Sequence, residues 1–144
     1  MKIRFFVPGV PKPGGSKTGF YNKKLNRVLM VDASKNTDWK NAVRYFCIQS
    51  FTGEPLSGSL KLTISFAMPR PQNHYGTGKK KEILKENAAN YHISRPDIKK
   101  LIRSTEDALT GILWHDDAQI VIQMTEKIYS TTPGAWIVVE TIVI

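Results

Sequence analysis

Two periods of apolar residues run along the chain. The strictest alternation spans residues 60–68, where Leu60, Leu62, Ile64, Phe66 and Met68 are separated by Lys61, Thr63, Ser65 and Ala67. Successive strand side chains point to opposite faces, so this run predicts a strand with one face in a core. Residues 2–7 alternate similarly and predict a first strand, stopped by PGVPKPGGSK, whose Pro8, Pro11 and Pro13 exclude regular pairing. Shorter strand-like runs at 19–21 and 27–31 flank Asn22-Lys23-Lys24 and predict a hairpin. Residues 119–129 and 135–144 predict a closing hairpin of two largely buried strands across a turn at 130–134.

Helical spacing appears twice. Trp39, Ala42, Val43, Phe46 and Cys47 predict a helix over residues 37–50, with Ser34 available as its cap. Ile98, Leu101, Ile102, Thr105, Ala108, Leu109 and Ile112 draw a mainly apolar stripe along a second helix of roughly four turns. Pro96 suits its first turn, Asp97 is favoured there by the uncapped amides and the dipole, and Gly111 closes it. On that helix Asp97, Ser104 and Asp107 lie beside or behind one edge of the stripe, and Lys99, Arg103 and Glu106 flank the other.

Between the 60–68 strand and this helix, residues 69–92 turn to Pro, Gly, Asn and Lys, with few apolar anchors beyond Ile83, Leu84 and Tyr91. This predicts a mobile basic loop with one short helical turn, inside a single domain over residues 1–144. The element order predicts an α+β fold, a mixed β-sheet with two helices on one face.

Composition narrows the partner. A formal charge of +9 over 144 residues points to an acidic polymer, DNA or RNA before anionic lipid, because no basic amphipathic helix stands out. The lone Cys47 lies among apolar residues and reads as a small buried hydrophobe, and no Cys/His spacing suggests zinc. The N-terminal MKIRFFVPGV has only a short apolar run, and no stretch reaches the ~20 apolar residues of a membrane span. A cytoplasmic protein without membrane contact is expected.

The candidate chemistry lies in residues 94–119, SRPDIKKLIRSTEDALTGILWHDDAQ. They place Asp97 at a helix entrance and Asp116 and Asp117 beyond its exit, where a strand folding back brings Asp117 towards the helix. Carboxylates converging from two elements suit Mg²⁺, which leaves further positions to water and phosphate. The same spacing also describes a helix cap, a surface acid and an acidic turn, within a nucleic-acid-binding module that does no chemistry.

R-P-D-I-x-K-L-I-R, then D-A-L-T-G, then W-x-D-D-A-Q-I-V resembles the central motif block of the RusA-like Holliday junction resolvases, found largely in phages and prophages. The G-S-K segment and the M-V-D-A-S turn resemble the opening of the family's phage-type branch. The resemblance implies a RusA-like fold and a Mg²⁺-dependent endonuclease that cuts four-way DNA junctions by paired nicks. It implies Asp97 and Asp117 as catalytic metal ligands, Asp116 as a further ligand, Asp107 as a matching acid and Arg103 as the catalytic cation, with Lys100 an alternative to it. His92 matches a position where the family often has histidine, with a structural role the plainer reading. Two matched nicks in a nearly two-fold junction imply a homodimer. Lys17, Lys23, Lys24, Arg27, Lys79, Lys80, Lys81, Arg95, Lys99 and Lys100 are the expected DNA contacts. Lys99 departs from the family's P-D-x-D-x-L, putting a cation where a metal-binding aspartate is usual. The alternative is therefore an impaired protein that binds branched DNA without cutting it.

Overall fold

The computed structural model describes residues 1–14, 17–24, 26–32 and 36–143, without the side chains of 17–22 and 28–32. The main elements are β1 (Lys2–Pro8), β2 (Lys17–Asn22), β3 (Arg27–Asp32), α1 (Thr37–Ser50), β4 (Leu60–Pro69), α2 (Ile98–Leu109), β5 (Ile120–Ser130) and β6 (Gly134–Thr141). One-turn helices occur at Gln72–His74, Gly78–Lys80 and Asp117–Gln119.

A four-stranded sheet runs in the order β1-β6-β4-β5, with β6 antiparallel to both neighbours and β5 parallel to β4. Alternate residues of three strands, Ile3, Phe5 and Val7, Leu60 to Phe66 in steps of two, and Ala135, Ile137 and Val139, are buried together with Trp39, Val43 and Cys47 of α1 and Leu101, Ala108 and Leu109 of α2. This is the predicted α+β arrangement, with both helices over one sheet face. Where the helices meet, the Trp39 indole N–H donates to Thr105 Oγ1 at 3.1 Å, and that hydroxyl donates to the Leu101 carbonyl at 2.9 Å. The Trp39 indole and the Thr105 hydroxyl therefore both keep a partner inside the core. Burial pushes the Cys47 thiol up to about 11, so it stays a protonated hydrophobe. β2 and β3 pair as the predicted hairpin, in a sheet of their own. The predicted cap Ser34 lies outside the described residues.

The C-terminal strands differ from expectation. β5 and β6 do not pair with each other, because β4 lies between them and bonds to both. β4 has the longest uninterrupted core face, so it takes the centre, and residues 131–133 cross its end beside Pro69, which has no N–H to offer a further ladder. β5 is consequently an edge strand that exposes Val121, Ile122 and Met124, not a largely buried one. Part of its edge is covered by the end of the basic loop: the His92 N–H donates to the Lys127 carbonyl, and the Tyr129 N–H to that of Asn90. The loop has two one-turn helices where the sequence suggests one.

α2 also departs in detail. Pro96 precedes the N-cap residue Asp97, after a cis Arg95–Pro96 bond, and so lies outside the first turn. The helix ends at Leu109, shorter than predicted, and Gly111 reverses the chain at a φ of +90°. Ser104, expected at the polar edge, is fully buried between the carbonyls of Lys12 at 2.5 Å and Leu101 at 3.1 Å. The proline-rich segment after β1 crosses the helix there, tied by the Gly14 N–H to the Lys100 carbonyl. A Cβ on Gly14 would stand 3.0 Å from Ser104 Cβ, so the crossing requires small residues on both sides.

Candidate active site

The site is built on the outward edge of α2 where it meets β5. Residues three, four and seven apart share one helix face, and Lys99, Ile102, Arg103 and Glu106 follow that spacing. With Asp107, Asp117 and Gln123 they line a cleft of about 360 Å³. Arg103 and Asp117 thus come together, as do Lys99 and Asp117.

The structure separates the two acids of the Asp116-Asp117 pair. Asp116 caps the one-turn helix Asp117–Gln119: its Oδ1 accepts from the Ala118 N–H at 2.9 Å, while Gln119 Oε1 accepts from the Asp116 N–H at 3.0 Å. Gln119 Nε2 then donates to the carbonyls of Leu56 and Gly58, fixing the turn to the chain before β4. Asp116 faces a different recess, beside Gly58 and Ser59, and Asp117 faces the cleft.

Asp97 stands at the entrance of α2 with an extended backbone, and its exposed carboxylate makes no capping bond. It is not among the cleft-lining residues, and lies roughly 9 Å of helix axis before Arg103. Its approach is held by Lys127 of β5, whose ammonium donates to the carbonyls of Ser94 at 2.7 Å and Pro96 at 2.8 Å. Nothing in the pattern of β5 singled out that lysine.

Glu106 is the residue that the sequence reading passed over. It is half-buried in the cleft and accepts from Gln123 Nε2 at 2.8 Å. Burial raises its carboxyl above the ordinary range, the Gln123 bond opposes that shift, and the nearby charges of Asp117 and Asp107 add to it. The available signal was its place seven residues after Lys99, on the same helix edge. Asp107 also faces Lys40 of α1 at 3.9 Å.

Among the described residues no three acids, histidines or cysteines form a ready metal cage. The cleft instead offers carboxylates from two elements, Glu106 and Asp117, close enough for one to act on the other's charge. Oxygen donors of this kind fit a Mg²⁺ ion that keeps several waters and is completed by substrate phosphate.

Of the expected DNA contacts, Lys23, Lys24, Arg27, Lys79, Lys80, Lys81, Arg95, Lys99 and Lys100 are exposed. Only Lys99 of these lines the cleft, and the side chain of Lys17 lies outside the described residues. His92 is partly buried, with its ring edge on Tyr129 at a 5.0 Å centroid distance and Nδ1 without a partner. Burial, then the Lys127 charge, lowers its pKa. A histidine with a lowered pKa in the folded chain adds stability while neutral and loses it as pH falls through its ordinary value towards the folded one. Between about pH 7.5 and 5.5 the unfolding midpoint should therefore drop more for the unaltered protein than for His92→Phe, which keeps the contact with Tyr129 but cannot charge. Chemical denaturation at the two pH values checks this.

The fold is thus an α+β domain with exposed lysines and a cleft lined by both carboxylates and cations. The chain belongs to the RusA endodeoxyribonuclease family, whose sequence profile matches residues 8–140. It is also similar to the uncharacterized protein YqaN of Bacillus subtilis (strain 168), with 25% identity over 138 residues, 96% of this chain and 95% of that protein. Among the described residues no helix is long and apolar enough to cross a membrane.

Proposed function

We propose that this protein is a Mg²⁺-dependent, structure-selective endonuclease that resolves four-way DNA junctions by paired nicks in the cytoplasm. The observation that carries the reading is Asp117, which is left out of the cap made by Asp116 and faces a cleft shared with Arg103. Asp117 would face the ion from within the cleft, and Asp97, which stands at the helix entrance outside the cleft lining, is proposed as its partner, with Asp116 supporting the turn that presents Asp117. When bound, the ion supplies a water activated for attack and a Lewis acid at the phosphate. The Arg103 guanidinium offsets charge that develops on the phosphoryl oxygens. Lys127 fixes the end of the loop that leads into α2 and carries Asp97. The exposed lysines and arginines of the hairpin, the loop and the start of α2 hold backbone phosphates, a contact that reads shape before sequence. Two such sites in a C₂ homodimer match the two strands to be cut.

Lys99 favours a second reading, because its side chain lines the cleft that Asp117 enters. Positive charge there opposes a cation and favours phosphate, as in a protein that binds junctions without cutting. A labelled four-way junction and a matched linear duplex, each with Mg²⁺ and with EDTA, separate the two. Paired nicks in the junction, dependent on Mg²⁺ and absent from the duplex, are expected. Binding without nicks, together with cleavage by Lys99→Asp, would establish the second reading instead.

A further inference from the structure

Ile93 is 93% exposed, more than any other large apolar side chain among the described residues, and Tyr91 two positions before it is 64% exposed. A single apolar side chain in water is ordinary on a protein surface. Ile93, however, is held there on a fixed piece of backbone. The His92 N–H donates to the Lys127 carbonyl at 3.1 Å, and the Lys127 ammonium donates to the carbonyls of Ser94 at 2.7 Å and Pro96 at 2.8 Å. One residue of β5 thus ties the chain on both sides of Ile93. Tyr91 forms a β-bridge to Ile128 of the same strand, and the His92 ring packs on Tyr129 at a centroid distance of 5.0 Å. With the histidine turned to the strand, Tyr91 and Ile93 are the apolar side chains that this stretch offers to solvent. Exposed Arg95 follows two residues later, and exposed Lys99 and Lys100 stand on the first turn of α2. An apolar tip beside cations suits DNA, whose phosphates meet the cations and whose base faces meet the apolar group.

We propose that Ile93, with Tyr91 two residues before it, is an apolar wedge that enters the base stack at the centre of a four-way junction. The inference rests on the junction reading above and supplies a source for its selectivity. Isoleucine is among the side chains that proteins insert between base steps, at the expense of unstacking them. In a linear duplex every step is stacked and must be opened first. At a branch point the arms end against one another and the terminal pairs open more readily, so the same side chain gains its contact at a smaller loss. Phosphate contacts by Arg95, Lys99 and Lys100 hold either DNA and do not make that distinction. Asp97 follows Ile93 by four residues, at most ~14 Å of chain. The wedge therefore sets the crossing near the Asp97 end of the site.

The test uses the full chain with Ile93→Ser and Ile93→Leu, in EDTA so that no strand is cut. The probes are a four-way junction carrying 2-aminopurine beside the crossing and a linear duplex carrying it in the same sequence context. An exposed side chain supports little of the fold, so urea midpoints should be unchanged in both variants. The unaltered protein should raise 2-aminopurine emission in the junction and not in the duplex. Ile93→Leu should keep that rise. Ile93→Ser should lose most of it and bind the junction about 5- to 50-fold more weakly. Duplex affinity should stay the same, because phosphate contacts set it. Equal junction affinity and emission in Ile93→Ser overturn the wedge, as does an equal loss of affinity for both DNAs. A dimer of the unaltered protein that dissociates in Ile93→Ser, read by light scattering, also overturns it and assigns the side chain to a second copy. Junction preference without any emission change removes the wedge and leaves the junction reading standing, whereas no junction preference removes both. An Ile93-dependent rise without paired nicks in Mg²⁺ leaves the wedge standing and removes the nuclease reading.

Discussion

Asp117→Asn should slow junction cleavage roughly 10²–10³-fold while leaving the folded protein and its hold on DNA intact. Asparagine has the shape of aspartate and none of its charge, so the substitution removes an oxygen ligand without opening space. Asp117 is exposed and its neighbour Asp116 does the capping, so the expected stability change is within about 0.5 kcal/mol. Removing a negative charge beside bound phosphate should tighten, not weaken, junction binding in EDTA. Asp116→Ala is the paired control. It loses the bond from the Ala118 N–H and should cost about 1 kcal/mol of stability. Its cleavage should fall far less than that of Asp117→Asn at a temperature where both are folded. Cleavage rates under single-turnover conditions, read beside urea midpoints, make the comparison. If the two variants lose activity equally, the two acids are not divided as the hydrogen bonds divide them.

That division was out of reach of the sequence. Both residues of the pair sit in one turn, and no periodicity tells which carboxylate meets a backbone amide and which meets the cleft. The strand at β4 and the stripe of α2 were legible because each buries one face, and burial of one face leaves a period in the residues. The bounds of α1 also agree with its apolar spacing. The partner of β5 was not legible: adjacency in the chain suggested a hairpin with β6, and the actual pairing with β4 joins segments some sixty residues apart. Ser104 misled for the same reason, since its burial comes from a crossing segment ninety-two residues away. Glu106 carried its signal in the open, on the Lys99 edge of the helix. It became readable only when Gln123 and Asp117 were seen to face it from other elements.

The support under the site can be tested at Trp114, where Trp114→Ala should cost about 3–5 kcal/mol. Trp114 is fully buried, and its indole N–H donates to Thr110 Oγ1 at 3.0 Å. Its carbonyl accepts from the Gly111 N–H at 2.7 Å, closing the reversal that follows α2, and the adjacent Leu113 carbonyl accepts from the Leu56 N–H. Truncation leaves a cavity under this reversal and strips the Thr110 hydroxyl of a donor. That hydroxyl still donates to the Glu106 carbonyl, so part of the turn survives. For a domain this size the loss is roughly 10 °C or more of melting temperature, large against a total stability of about 5–15 kcal/mol. Trp114→Phe refills most of the space and lacks the N–H, and should cost only about 1–2 kcal/mol. The two losses have different consequences for catalysis. Asp117 follows Trp114 by three residues, and its direction into the cleft depends on the reversal that Trp114 holds from beneath. Cleavage by Trp114→Ala, measured well below its own midpoint, should therefore fall by more than the folded fraction accounts for, while that of Trp114→Phe should not. Equal activity per folded molecule in both variants would show that the capping box around Asp116 positions Asp117 without help from the core.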